Sequence, residues 1–196
     1  HDVAIQDLPV VMCLDRGGIV GEDGVTHHGV FDMAAFGAVP GLTIAAPMDE
    51  LELRNMMYTG LQYGHPFMIR YPRGNGAGRL WRGVPFEALP VGRGRRLREG
   101  TDVALVTVGT VGNAAARAAE RAAAKGVSVA HYDLRFAKPL DEALLAEVGA
   151  KFRHVVTVED GSLRGGVGEA VTAFFNARGC EVAVHSLGIG DEWVEH

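Results

Sequence analysis

An apolar run over 8–14 empties into a long polar loop that carries Gly17, Gly18, Gly21, Gly24 and Gly29. An apolar-periodic run over 30–36 follows it. Strand, loop and helix in this order set the frame for the first part of the chain. The pattern predicts a strand over 8–14, a helix over 29–38, a strand over 42–46 and a strand over 66–71. Before the last of these, Leu51, Leu53, Met56, Met57 and Leu61 mark the apolar face of a helix, with Asp49 as its candidate N-cap. Strands separated by helical runs of this length imply a parallel sheet, because parallel neighbours need long crossovers. Residues 1–7 read as the tail of a helix.

A second α/β pattern begins near residue 99. The run over 102–108 has almost no polar interruption, as a strand buried on both faces requires. An alanine-rich helix over 111–125 ends at Gly126. Strands over 127–133, 154–158 and 182–187 and helices over 141–148 and 165–178 complete it. The expected architecture is α/β, with two successive parallel-sheet units. The first covers 1–76, a linker and edge ribbon cover 77–98, and the second covers 99–196. The linker carries Arg79, Arg82, Arg93, Arg95, Arg96 and Arg98. The rest of the chain is acidic and the arginines lack aromatic interleaving. They therefore read as a solvated face and not as a nucleic-acid arm.

The net charge of −5 and the 47% hydrophobic content fit a globular core. They give no reason to expect nucleic acid or a membrane as partner. No apolar run is long enough to span a bilayer, and a cytoplasmic location is the default expectation. Cys13 and Cys180 do not form a disulfide framework, and Cys13, in a strand pattern, reads as a buried thiol. Neither CxxC nor HExxH occurs, so no protein-built metal site is expected.

Chemistry concentrates at the strand ends. Arg16 ends the first strand and Arg73 the third. In a parallel sheet both ends open on one side, so the two guanidiniums can converge on a phosphate or carboxylate. Two separate ion pairs, one of them between Arg16 and Asp15, weigh equally on spacing alone. His27 is the candidate proton carrier, since an imidazole titrates near neutrality. Asp23 is placed to orient it, charge it or bind a substrate hydroxyl. His28 reads as a solvent-facing neighbour. The glycine-rich stretch over 161–168 offers backbone amides to an anion, but tight packing of helix on sheet explains it better. Glu159 and Asp160 before it either meet another domain or cap the turn. His131, His154 and His185 read as structural.

Three motifs carry a resemblance: Asp15-Arg16-Gly17-Gly18-Ile19-Val20-Gly21, then Asp23-Gly24-Val25-Thr26-His27, then Tyr71-Pro72-Arg73-Gly74-Asn75. With His1-Asp2-Val3-Ala4-Ile5-Gln6 and Phe136-Ala137-Lys138-Pro139-Leu140-Asp141-Glu142-Ala143, they resemble the 1-deoxy-D-xylulose-5-phosphate synthases. These are thiamine-diphosphate-dependent members of the transketolase family. Gly17 stands where many members carry alanine, and His28 where many carry glutamine.

The resemblance implies the later part of a pyrimidine-binding middle domain followed by a transketolase-type C-terminal domain. It implies decarboxylative condensation of pyruvate with D-glyceraldehyde 3-phosphate, a step that supplies isoprenoid, thiamine and pyridoxal precursors. Arg16 and Arg73 match the positions that bind the aldehyde's phosphate, and Asp23 and His27 those beside the reacting centre. Thiamine diphosphate and magnesium are the implied cofactors, held mainly by segments that this sequence does not contain. The Gly-Asp-Gly diphosphate motif, the segment with the glutamate that activates the aminopyrimidine, and the last helix are not in it. With His1 as the first residue, the chain is expected to be a piece of a longer enzyme, inactive alone. Its expected partners are the remaining N-terminal portion and a second copy in a homodimer. Rival readings are a transketolase, a 2-oxo acid dehydrogenase β subunit, or a non-catalytic fragment that only assembles with the rest of the enzyme.

Overall fold

The structure is a computed structural model and describes residues 1–195; residue 196, the last of the expected second unit, lies outside them. After a short helix α1 (Asp2–Ile5), the first unit alternates β1 (Val11–Leu14), α2 (Asp32–Gly37), β2 (Thr43–Ala45), α3 (Glu50–Tyr63) and β3 (Phe67–Arg70). β3 lies between β1 and β2 and runs parallel to both, with Leu14 beside Arg70 and Ala45 beside Ile69. α3 starts where the Asp49 side chain accepts from the Glu52 amide at 2.9 Å, and ends at Gly64 in the left-handed region.

The second unit contains β4 (Arg95–Arg98), β5 (Val103–Thr107), α4 (Val111–Ala123), β6 (Val129–Asp133), β7 (Phe136–Lys138), α5 (Glu142–Lys151), β8 (His154–Ser162), α6 (Val167–Ala177) and β9 (Ala183–Ile189). Its sheet has the order β4-β6-β5-β8-β9, parallel except for the edge strand β4. β4, at the sheet edge, is the one strand within residues 77–98 among the described residues.

β7 was not foreseen as a strand. It leaves its own unit and pairs antiparallel with β2, giving the first sheet the order β1-β3-β2-β7. Phe136 at its start is fully buried against Phe67, with centroids 6.3 Å apart. Burying one phenylalanine is worth about 1.5–3 kcal/mol, so β7 is a stabilising tie as well as a hydrogen-bonded one. A larger core runs through both units, with Met33, Ile44 and Met68 packed in one cluster with Val106, Tyr132 and Leu134.

Charge also ties the units. Glu52 on α3 is buried and accepts two bonds from Arg135, at 2.8 and 3.0 Å, and one from Arg95 at 3.1 Å. Arg95 also donates to the fully buried Asp133. The linker arginines are therefore not one solvated face. Arg93, Arg95 and Arg96 pair with carboxylates at Asp141, Glu52, Asp133, Glu99 and Glu147. The linker itself is held on α3 by Arg54, which donates to the carbonyls of Trp81, Val84 and Pro85.

Cys13 is exposed, against the expectation of a buried thiol. β1 is an edge strand with a neighbour on one side only, so its apolar run does not bury every side chain. Among the described residues no helix is long and apolar enough to cross a membrane.

Candidate active site

The loop after β1 closes on itself. The Gly29 amide donates to the Arg16 carbonyl at 2.8 Å, and the Gly18 amide to the Gly29 carbonyl at 2.9 Å. Residues 17–29 thus form a compact loop with a pinched neck. Gly29 is required there, because a Cβ would lie 2.3 Å from the Arg16 carbonyl oxygen. Gly18, at φ +82°, would press a Cβ onto the Asp160 carboxylate at 2.8 Å.

β1 and β3 end side by side, and the Gly17 amide donates to the Tyr71 carbonyl at 2.9 Å. The loops bearing Arg16 and Arg73 therefore leave the sheet together. A 3-10 turn, Gly21–Asp23, carries Asp23 to them. The Asp23 Oδ2 accepts from Arg16 Nε at 3.0 Å and pairs with Arg73 Nη1. Hydrogen bonds from Arg73 and Arg16 lower the pKa of Asp23, and the same carboxylate raises that of Arg73. Arg16 also pairs with Asp15 at 2.8 Å, but its shared contact with Arg73 at Asp23 means that the two arginines do not form separate ion pairs.

Arg16 sits at φ 61°, a region that costs an L-residue about 1–2 kcal/mol. The neck bonds on its own carbonyl and on the next amide hold it there. The result is a guanidinium aimed across the mouth of the loop beside a second one. Two half-exposed guanidiniums on one carboxylate can take a dianion, which would share or displace Asp23.

His27 is exposed on the same loop, with Nδ1 3.0 Å from Thr26 Oγ1. Asp23 bonds the two arginines and not His27, so of the three roles considered for it, the direct orienting contact is not made. His28 is buried, contrary to its reading as a solvent-facing residue. The Val20 amide donates to its Nδ1, and its Nε2 meets the Val194 carbonyl. A partner so distant in sequence leaves no local signal. A cleft of about 630 Å³ opens between the units beside Arg73, with Tyr71, Asn75, Met48, Thr110 and Asn113 in its wall.

Beneath the loop lies Arg70, which the sequence reading did not single out. Its side chain is buried and donates to Asp32 at 2.9 Å, to the Gly29 carbonyl at 2.7 Å and to Asp160. Burial alone would lower its pKa, but Asp160 and Asp32 outweigh that and raise it. Asp160 thus meets another unit, while Glu159 caps α6 by accepting from the Val167 and Gly168 amides at 3.1 and 2.8 Å. The Val167 and Gly168 amides of the glycine-rich stretch are thus taken by the chain's own carboxylate.

Two family descriptions match the chain. The pyrimidine binding domain of transketolase matches residues 1–78, and the C-terminal domain of transketolase matches residues 92–196. The chain belongs to the transketolase family. Among curated members, 1-deoxy-D-xylulose-5-phosphate synthase of Bacteroides fragilis is 58% identical over 198 residues, covering 100% of this chain and 30% of that protein. The synthase of Bacteroides thetaiotaomicron is 55% identical with the same coverage. That of Gloeobacter violaceus is 46% identical, covering 100% of this chain and 31% of its own length. A solved transketolase structure, titled a split gene transketolase, inactive beta4 tetramer, superposes with a TM-score of 0.85 at 27% identity. It covers 97% of this chain and 61% of that one. The chain spans about 30% of the length of the curated relatives it matches.

Proposed function

We propose that this chain is part of a 1-deoxy-D-xylulose-5-phosphate synthase, in which it provides the acceptor side of the reaction. The enzyme would condense pyruvate with D-glyceraldehyde 3-phosphate, losing carbon dioxide, in the supply of isoprenoid, thiamine and pyridoxal precursors. The observation that carries the reading is the Asp23 carboxylate, which gathers Arg16 and Arg73 at one loop mouth. Identity of up to 58% over the whole chain supports it. In this proposal residues 1–76 are the later part of the pyrimidine-binding domain, 77–98 the linker and edge ribbon, and 99–196 the C-terminal domain.

Thiamine diphosphate, the family's cofactor, supplies the carbon nucleophile when bound. Among the described residues no three His, Cys, Asp or Glu side chains come together as a metal ion would need. These residues do not fit the magnesium–diphosphate end of the cofactor, which we assign to the remaining N-terminal portion of the enzyme. This chain's own residues act on the aldehyde. Arg16 and Arg73 bind its phosphate by charge-assisted hydrogen bonds. His27, on the same loop, donates a proton to the carbonyl oxygen as carbon–carbon bond formation charges it. A cytoplasmic homodimer containing both portions is the working assembly, and the chain alone is inactive. The inactive assembly named for the related split-gene transketolase favours that last point.

The test is reconstitution. This chain is produced with the N-terminal portion that its relatives carry, and carbon dioxide release from pyruvate is measured with and without glyceraldehyde 3-phosphate. The proposal expects aldehyde-stimulated release from the assembly and none from the chain alone. An assembly that instead uses a ketose donor such as a transketolase takes, and ignores pyruvate, overturns it.

A further inference from the structure

His28 is adjacent to His27 and does a different job. A backbone amide can only donate and a backbone carbonyl can only accept. The Val20 amide lies 3.1 Å from His28 Nδ1, and the Val194 carbonyl lies 3.1 Å from Nε2. The two partners together select one state of the ring, neutral, with its hydrogen on Nε2 and its lone pair on Nδ1.

Both partners bear on the site. Val20 is the N-cap of the turn Gly21–Asp23, which ends in the carboxylate between Arg16 and Arg73. Val194 follows β9 in the second unit, in a segment laid over the first. Beside it, the Trp193 ring stands edge-on to Phe31 with centroids 5.5 Å apart. The bridge runs from a C-terminal segment, through one buried imidazole, to the turn that sets the arginine pair.

We propose that His28, as its Nε2–H tautomer, is a positioning residue that braces the Asp23 turn against the 190–195 segment and so sets the spacing of Arg16 and Arg73. Glutamine can make the same two bonds, with Oε1 accepting from Val20 and Nε2 donating to Val194, whereas alanine can make neither. His28→Gln is therefore the conservative variant and His28→Ala the disruptive one.

The kinetic arm of the test rests on the function proposed above; the other two do not. In the assembled enzyme labelled with 15N-histidine, the His28 ring should show a protonated Nε2 and a bare Nδ1. Hydrogen exchange of the Val20 amide should speed up about tenfold in His28→Ala, as the loss of one hydrogen bond of ordinary strength predicts, and stay near native in His28→Gln. With pyruvate and glyceraldehyde 3-phosphate, His28→Ala should raise KM for the aldehyde about tenfold with little change in kcat or in KM for pyruvate, and His28→Gln should restore it. A purely structural residue would lower the melting temperature without moving the aldehyde KM alone. An Nδ1–H tautomer, unchanged Val20 exchange in a folded His28→Ala, or a glutamine variant no better than alanine overturns the proposal. Should the assembly lack the synthase activity while ring state and exchange behave as expected, the proposed function falls and the brace stands.

Discussion

Arg70 at the end of β3 donates through Nη1 to the Asp160 carboxylate and through Nη2 to the Asp160 carbonyl at 3.2 Å, which bolts the first sheet to the second. The same guanidinium holds Asp32 at the start of α2 and the Gly29 carbonyl at the neck of the site loop. One residue thus sets both the docking of the units and the closure of the loop that carries Arg16, Asp23 and His27. A lysine keeps the charge but not the planar fork that reaches all of these at once.

Arg70→Ala should therefore cost about 3–5 kcal/mol, the usual penalty for leaving buried charges unpaired. Arg70→Lys should recover only part of it. Asp160→Asn should cost less than Arg70→Ala, because Asp32 still neutralises the guanidinium. Urea unfolding of the three variants ranks them, and an Arg70→Lys protein as stable as the parent would remove Arg70 from this role.

A second prediction concerns pH. His131 is buried at the end of a hydrogen bond with Thr107, and burial, aided by the charge of Arg95, pushes its pKa down to about 4. In the unfolded chain it titrates near 6.5. Between these values the unfolded state binds the extra proton, so stability rises with pH. The contribution is fully present above about pH 6.5 and is lost as pH falls toward 4, in all about 3 kcal/mol. Unfolding midpoints of the parent and His131→Gln, compared at pH 7 and 4.5, check this. The parent should lose more on acidification, and parallel losses would contradict it.

The two α/β units were legible because their signals are local. Apolar runs, the Asp49 cap and Gly126 each announce an element over a few residues. The Arg16–Arg73 pairing was legible for a related reason, since strand ends of one parallel sheet face the same way. What stayed hidden depends on distant partners. β7 is three residues long and finds its place only against β2, far back in the chain. His28 is buried and bonded to a carbonyl 166 residues away. Cys13 shares its pattern with buried strands, and only its edge position exposes it. Arg70 lies near the end of an apolar run with nothing local to mark it, while Asp32 and Asp160 make it the hub.

Asp23 leads to a third prediction. Because one carboxylate fixes two arginines, the three residues should behave as a unit. In the assembled enzyme, Arg16→Ala or Arg73→Ala should raise KM for glyceraldehyde 3-phosphate by an amount worth about 1.5–3 kcal/mol, the range for hydrogen bonds to charged groups. Unphosphorylated aldehydes should be used about as well as before. The double variant Arg16→Ala/Asp23→Ala should fall short of the sum of its parts. Equal loss with phosphorylated and unphosphorylated aldehydes would show that the arginines do not read the phosphate.

The last prediction separates the two neighbouring histidines. His27 is exposed, with Thr26 Oγ1 3.0 Å from its Nδ1, so in the proposed function Nε2 is the nitrogen that would serve the substrate. In the proposed function, an aldehyde held at its phosphate by Arg16 and Arg73 would present its carbonyl to the same loop. Carbon–carbon bond formation charges that oxygen, and a proton donor beside it lowers the barrier. His27→Ala should therefore reduce kcat by about 10²–10⁴-fold, the range for losing a general acid. His28→Ala acts on position and should appear in the aldehyde KM. Thr26→Val, which removes the bond to Nδ1, should fall between the parent and His27→Ala in kcat. Steady-state kinetics of the three variants decides the matter. If kcat survives in His27→Ala while His28→Ala abolishes it in a folded enzyme, the proton comes from elsewhere and His27 is only part of the loop.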